Sequence, residues 1–497
     1  MVKGDKKPKI LYSGNQKTNT KTNTKTNKNK NILFFNTMKR NNKLCRSQFV
    51  SSQRLKKHLS KLNHQKYREI IIKIYKIYAH KVICSKPQKF VHKEGDYIIN
   101  KFDVLDILPN NSIVNKLKSK SRQHITRKDI DLLLEDPNMA ANNLILSRFS
   151  NMDIIMDLIK NEYMKYSIKY EILLPDGKRT NYKVHLYSAE KDVTIVSMVE
   201  YSTNIIKRVL FMNYLLNNNN LPSRIDIYLT KFKKIIDYSE NSTISSDSVN
   251  SAVTDGQDIV IFREEEALKC LMHELIHFHR LDKKLYNFSL DNMEVNILMR
   301  RLKISHNIDL DYNHRLTEAY TECLASIFSI IVSTADTVIG ISKQGIDNRK
   351  GCGKMIQDTQ MTQIIKSLEY EITFSFLQIS KILRYFKYDS FEELLRLAPK
   401  IIRQPLRQST DLFAYYILKT YLMLNIFDLL DEVIDLDPIS RLGSIDTIGY
   451  VEESIEKILN LNTEESKIII YGVNKYIKRN KVNKGTKKTN LRMTCSD

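Results

Sequence analysis

The string His273-Glu274-Leu275-Ile276-His277 constrains this chain more than any other feature of its 497 residues. It lies in a segment where Ala267, Leu268, Leu271, Met272, Leu275 and Ile276 wrap apolar side chains around a helix. Positions i and i+4 share one helix face, so both imidazoles can meet one ion. Glu274 projects about 100° round from His273, where it can reach a metal-bound water without ligating the metal. Two metal ligands, a general base and an open position are the minimal set for metal-assisted hydrolysis of an amide. The competing reading is a solvated His-Glu-His patch. The apolar neighbours argue against it, because polar groups in such a helix are costly without partners. The acidic run Glu264-Glu265-Glu266 suits a helix N-terminus and predicts the first turn there.

A third ligand has its own candidate helix. Asn313 is a plausible N-cap, and Leu316, Tyr320, Cys323, Leu324, Ile327 and Phe328 form an apolar face after it. Glu318 and Glu322 stand at i and i+4 and share a face. One carboxylate can complete a His2Glu set, and the other can accept the free N–H of a ligand histidine. An exposed pair of glutamates is the alternative.

The HExxH string, followed by a helix carrying Glu318-Ala-Tyr-Thr-Glu322, resembles the gluzincin, thermolysin-like type of zinc metallopeptidase. The resemblance spans roughly residues 220–335. It implies one Zn2+ per chain held by His273, His277 and Glu318, with Glu274 as general base and Glu322 orienting His273. It implies a protein or peptide as substrate. One departure matters: 40 residues separate His277 from Glu318, about twice the spacing usual in that family. Segment 281–312 must therefore loop out, and Glu294 remains an alternative third ligand. A metzincin pattern fits less well, since Lys283 holds its third-ligand position and no Gly precedes it. His279 points about 200° away from His277 on the helix. The chain is rich in Lys, Asn and Ile and has no Trp. With the motif, this resembles the zinc metalloproteinases of giant nucleocytoplasmic, mimivirus-like DNA viruses, which implies a place in host cytoplasm or in the virion.

The expected fold class is α+β and zincin-like. A small mixed sheet precedes the active-site helix, a mainly helical lobe follows it, and the basic termini are disordered. Residues 166–174 and 181–187 read as a hairpin closed by Pro175-Asp-Gly-Lys178. Ile225–Thr230 and Asp258–Arg263 read as strands. Asn250–Thr254 is either an edge strand able to pair with an extended substrate or a surface loop. Helices are expected over 50–83, 127–165, 194–217 and, after residue 335, over 355–386, 390–399, 410–434, 450–460 and 464–479. Gln344–Met355 reads as a flexible link or lid. The divisions are a basic tail (1–45), a helical N-terminal region (46–160), the catalytic core (161–340), a helical lobe (341–470) and a second basic tail (471–497). The oxyanion donor is open among His306, Tyr312, His314 and the pair Tyr415-Tyr416, with Tyr416 named as the candidate.

The net charge of +23 suggests a polyanion partner, but its distribution is uneven. Residues 1–70 carry 19 Lys and Arg against two acids, and residues 471–497 carry eight against one. The stretch between them is close to neutral. Such blocks read as solubilising tails or as contacts to nucleic acid or another polyanion. A catalytically silent scaffold that binds nucleic acid or a virion component through these tails is the rival to a peptidase. Cys45, Phe49, Leu55, His58 and His64 match the second half of a Cys2His2 finger, but Asn42 stands where the first Cys belongs. A basic amphipathic helix is the alternative. No apolar run reaches 18 residues, so no membrane span is expected. No apolar leader is present, and the six scattered cysteines read as free thiols, so the expected compartment is cytoplasmic rather than secretory.

Overall fold

The computed structural model describes residues 52–85, 88–93, 95–108, 112–135, 144–146, 152–190, 193–239, 243–285, 308–309, 316–345, 357–395, 406–407, 410–434, 439–444, 447–480 and 488–495. The expected tail 1–45, Glu294, His306, Tyr312, His314 and most of the Gln344–Met355 link lie outside these residues.

The alternation of apolar side chains along the central strands gives the sheet two buried faces. In chain order the elements that matter begin with helices α1 (Gln53–Ser60) and α2 (Gln65–Lys76), then strands β1 (Phe90–Val91) and β2 (Tyr97–Phe102). Helices α3 (Ser112–Ser119), α4 (Arg127–Leu134) and α5 (Met152–Lys160) follow. Next come β3 (Tyr163–Leu173), β4 (Arg179–Ser188), α6 (Ile195–Leu216), β5 (Arg224–Tyr228), β6 (Ile235–Asp237), β7 (Ala252–Thr254) and β8 (Asp258–Ile261). The hairpin β3–β4 pairs Met164 with Ser188 through Leu173 with Arg179. Gly177 closes its turn at φ +86°, a backbone region that favours glycine.

The sheet order is β1-β3-β4-β5-β8-β7, with β2 also on β3. The pairs β4–β5 and β5–β8 are parallel, and β3–β4 and β7–β8 antiparallel, so the sheet is mixed. Helix α6 makes the crossover that the parallel pair β4–β5 needs. Leu186, Ile227, Ile259 and Ile261 point to one core, while Tyr187, Tyr228 and Val260, their immediate neighbours, point to the other.

The expected N-terminal helical region, 46–160, is divided between these cores. Helices α1 and α2 pack in the larger core with the C-terminal helices, whereas Leu117, Ile130, Leu133, Ile154, Ile155 and Leu158 of α3 to α5 fill the smaller one. The expected helix 127–165 is also corrected: α5 stops at Lys160 and β3 begins at Tyr163. Its β-branched and aromatic run, from Tyr163 to Ile172, favours a strand.

The larger core lies between one face of the sheet and the helices. Helix α7 (Ala267–Phe278) carries the HExxH string, and α8 (Leu316–Gly345) carries Glu318 and Glu322. After them come α9 (Gln357–Tyr385), a π-helical turn (Phe413–Leu418) running into α10 (Lys419–Leu424), then α11 (Ile426–Ile434), α12 (Thr447–Leu459) and α13 (Glu464–Asn480). Leu316–Ile339 within α8 matches a membrane span in length and apolarity, and 72% of its most apolar window is buried inside the fold. The described cysteines, Cys84, Cys270, Cys323 and Cys495, are free thiols.

The second basic tail, 471–497, is a correction. Residues to Asn480 complete α13, and Lys488–Asn490 form strand β9, antiparallel to β6. Leu491, Met493 and Thr494 are buried. Two of its basic residues have acidic partners: Lys488 meets Asp237 at 3.5 Å, and Arg492 meets Glu265 at 3.4 Å.

Candidate metal centre

Helix α7 is buried along most of its length, from Ala267 to Ile276. It starts later than the acidic run predicts. Glu266 stands before the first turn with φ +66°, and its side chain is buried against Lys234 at 2.9 Å rather than exposed on the first turn. The charge of this glutamate is thus spent on a buried ion pair, not on the helix dipole.

Helices α7 and α8 run antiparallel with their polar residues in register. Lys269 pairs with Glu322, His273 lies between Glu322 and Glu318, and His277 faces Glu318. The i,i+4 spacing on both helices makes this ladder possible. Among the described residues, His273, His277 and Glu318 are the one group of side chains placed to hold a metal ion. The expected third ligand Glu318 and the expected orienting residue Glu322 are therefore both at the site.

The hydrogen bonds define how the group is polarised. His273 donates from Nδ1 to Glu322 Oε2 at 3.1 Å, and His277 donates from Nδ1 to Asp282 Oδ2 at 2.8 Å. Each bond fixes a tautomer that leaves Nε2 as a lone pair. These two Nε2 atoms lie 3.1 Å apart, and they are 3.2 Å and 3.6 Å from Glu318 Oε2. Three acceptors facing one another in a buried site repel unless a cation or protons sit among them. Without an ion, protons take that place. Burial lowers the affinity of both imidazoles for a proton, but the facing carboxylates outweigh it, raising His273 and holding His277 well above the usual histidine range. Burial pushes the Glu274 carboxyl up, which the neighbouring imidazoles oppose.

Of two further residues at the site, Asp282 carried no sequence signal, and Tyr415 was one of the open oxyanion-donor candidates. Asp282 lies just past the end of α7, where a carboxylate reads as an ordinary surface residue. Tyr415 donates its hydroxyl to Glu318 Oε2 at 3.0 Å, and its ring centre lies 6.1 Å from that of His273. Tyr416, the expected oxyanion donor, is corrected: its hydroxyl donates to the Leu491 carbonyl at 2.6 Å, away from the histidines. Successive residues of the π-helical turn point in different directions, so only one of the adjacent tyrosines can face the site.

The half-finger leads nowhere near this group. Cys45 and Phe49 lie outside the described residues. His58 is buried with its Nε2 2.7 Å from the Leu424 carbonyl, and His64 is exposed at the start of α2. His279, set aside as a ligand, packs against Phe278, and burial lowers it to about 4. Strand β7 lies at the sheet edge beside α7, which settles the strand-or-loop alternative for Ala252–Thr254. No protein-family model matches this chain, and comparisons with curated proteins and with solved structures return no match.

Proposed function

We propose that this chain is a zinc-dependent metallopeptidase of zincin-like fold. The observation that carries the reading is the convergence of three lone pairs from His273, His277 and Glu318, with both imidazoles held from behind by carboxylates. Ligand atoms bound tetrahedrally at about 2.0–2.1 Å lie roughly 3.3–3.4 Å apart. The three separations here, 3.1, 3.2 and 3.6 Å, bracket that value. Two imidazoles and a carboxylate suit zinc, and three protein ligands are the number found in its catalytic sites.

Zinc held there supplies Lewis acidity towards a water and a scissile carbonyl. Glu274, the residue after His273, takes a proton from the attacking water and passes it to the leaving amine. Tyr415 stands beside the ligand carboxylate with a hydroxyl hydrogen that can turn to a developing oxyanion. Glu322 and Asp282 hold the two imidazoles in the tautomer that keeps Nε2 unprotonated. Among the described residues strand β7 pairs with β8 alone, so an extended peptide backbone would add on its other side.

The test is metal content followed by hydrolysis. Wild type, His277→Ala and Glu318→Ala are purified, reconstituted with zinc and measured by elemental analysis, then assayed on a peptide library. One equivalent of zinc in wild type, lost in both variants, with hydrolysis confined to wild type, is the expected result. Zinc retained in Glu318→Ala would move the third ligand elsewhere. Zinc in wild type without hydrolysis of any peptide would leave a metal-stabilised scaffold.

A further inference from the structure

Behind the metal centre lies a buried chain of charges that the proposed chemistry does not use. Glu322, whose Oε2 holds His273, turns its other oxygen to Lys269 and, at 3.8 Å, to Lys419. Lys419 is 1% exposed and donates to Glu371 Oε1 at 3.2 Å and to the Met493 carbonyl at 2.9 Å. Glu371 is fully buried. Its Oε2 accepts from the Thr494 hydroxyl at 2.7 Å and from the Cys495 amide at 3.1 Å. The Thr494 amide donates to Glu266 Oε1 at 2.6 Å, just ahead of α7.

We propose that Lys419, Glu371 and Thr494 form a positioning relay for the metal centre, so that the hydroxyl Thr494 gives to Glu371 sets how tightly the centre holds its ion. This rests on the metal reading above.

The physical argument concerns how Lys419 is shared. A buried carboxylate is stable only when cations and donors satisfy it. Glu371 draws on Lys419 at one oxygen and on segment 488–495 at the other. Removing the Thr494 hydroxyl leaves Glu371 with fewer donors and strengthens its pull on Lys419, which already lies closer to Glu371 than to Glu322. Glu322 then loses part of its compensation on the side opposite His273. Since the Glu322 bond fixes the tautomer and ring angle of His273, looser support there weakens the ligand. The segment has separate anchors that do not touch this chain: the β9–β6 pairing, the Leu491 amide on the Lys234 carbonyl at 2.6 Å, and Asn490 Nδ2 on Glu265 at 2.8 Å. Support for the fold and support for Glu322 can therefore be separated by substitution.

The experiment uses the full chain and measures the zinc dissociation constant by competition with a chromogenic chelator, alongside thermal unfolding of the metal-free protein. Thr494→Val weakens zinc binding by about 3–10-fold, below the 10–100-fold typical of groups that touch a ligand directly, whereas Glu371→Gln, which relaxes the pull on Lys419 and leaves it to Glu322, does not weaken it. Thr494→Ser, which keeps the hydroxyl, restores wild-type affinity. Asn490→Ala, which breaks an anchor off the relay, leaves affinity unchanged. Hydrolysis by Thr494→Val returns to the wild-type rate at saturating zinc. Wild-type affinity in Thr494→Val, or a loss in Glu371→Gln as large as in Thr494→Val, would overturn the relay and leave the metal reading standing. Affinity that falls in Asn490→Ala as much as in Thr494→Val, in step with melting temperature, would also overturn it by reducing the segment to a structural strap. A wild type that binds no zinc would sink the metal reading and the relay with it.

Discussion

His273 and His277 lie four residues apart on α7, and His58 and His64 lie six apart across the break between α1 and α2. Both pairs have a spacing found in zinc proteins. In the first pair each ring donates from Nδ1 to a carboxylate and turns Nε2 to Glu318. In the second pair His58 uses Nε2 on the Leu424 carbonyl at the end of α10 and packs edge-on to Phe427, with ring centres 5.1 Å apart, while His64 faces solvent. Protonation follows the partners. Burial lowers both His58 and His277; the carboxylates facing His277 reverse the effect, whereas the Leu424 carbonyl and the weaker pull of Glu465 and Glu464 offset it only in part at His58. The imidazoles are alike in the two pairs, and the direct hydrogen bonds to the carboxylates of α8 and to Asp282 make the difference.

The largest expected effect separates chemistry from binding within the first pair. Glu274→Gln keeps the size of the side chain and removes the base. Hydrolysis should fall by about 10²–10⁴-fold, with one zinc retained. An active Glu274→Gln protein would remove Glu274 from the mechanism and reduce α7 to a metal-binding helix.

A smaller loss is expected at Tyr415. Tyr415→Phe should lower kcat by about 10²–10³-fold with KM nearly unchanged, the pattern of a donor that acts only on developing charge. Tyr416→Phe, which breaks the bond to the Leu491 carbonyl, should change stability and not kcat. Equal kcat losses in the two variants would erase the distinction between these neighbours.

Asp282→Asn sharpens the contrast between histidines with and without carboxylate support. Asparagine can still meet the His277 ring but loses the charge that favours Nδ1–H. Zinc affinity should drop by about 10-fold, or roughly 1.4 kcal/mol, by chelator competition. Unchanged affinity would show that Glu318 alone orients His277.

How much of this was readable from the residues depends on the range of the contacts involved. Helices α7 and α8 were legible because i,i+4 spacing is local, and the hairpin β3–β4 because Pro175-Asp-Gly marks its turn. The alternation of Leu186 with Tyr187 and of Ile227 with Tyr228 predicts strands, but not that helices from one N-terminal stretch cover opposite faces. The choice between Tyr415 and Tyr416 turns on a π-helical turn that no periodicity of 3.6 anticipates. Segment 488–495 misled for a different reason. Its Lys and Arg are compensated by Asp237 and Glu265, more than two hundred residues away in sequence. Composition reports charge but not the partner that neutralises it.

The smallest effect tests the second histidine pair. His58→Gln keeps a donor for the Leu424 carbonyl and loses the ring contact with Phe427, so it should cost about 1 kcal/mol at pH 7.5 and leave zinc stoichiometry at one. The pH dependence gives the sharper readout. A histidine lowered on folding binds its proton more tightly in the unfolded chain, so its contribution is complete above about pH 6.5 and is lost as pH falls towards the folded value. Glutamine does not titrate. The stability gap between wild type and His58→Gln, measured by urea unfolding, should therefore be constant above about pH 7 and close as pH drops below about 6.5. The raised histidines of α7 shift both proteins equally and cancel in the difference. A second equivalent of zinc lost in His58→Gln, or a gap that widens on acidification, would mean that His58 is a ligand or an ion-pair partner, and the two pairs would no longer stand in contrast.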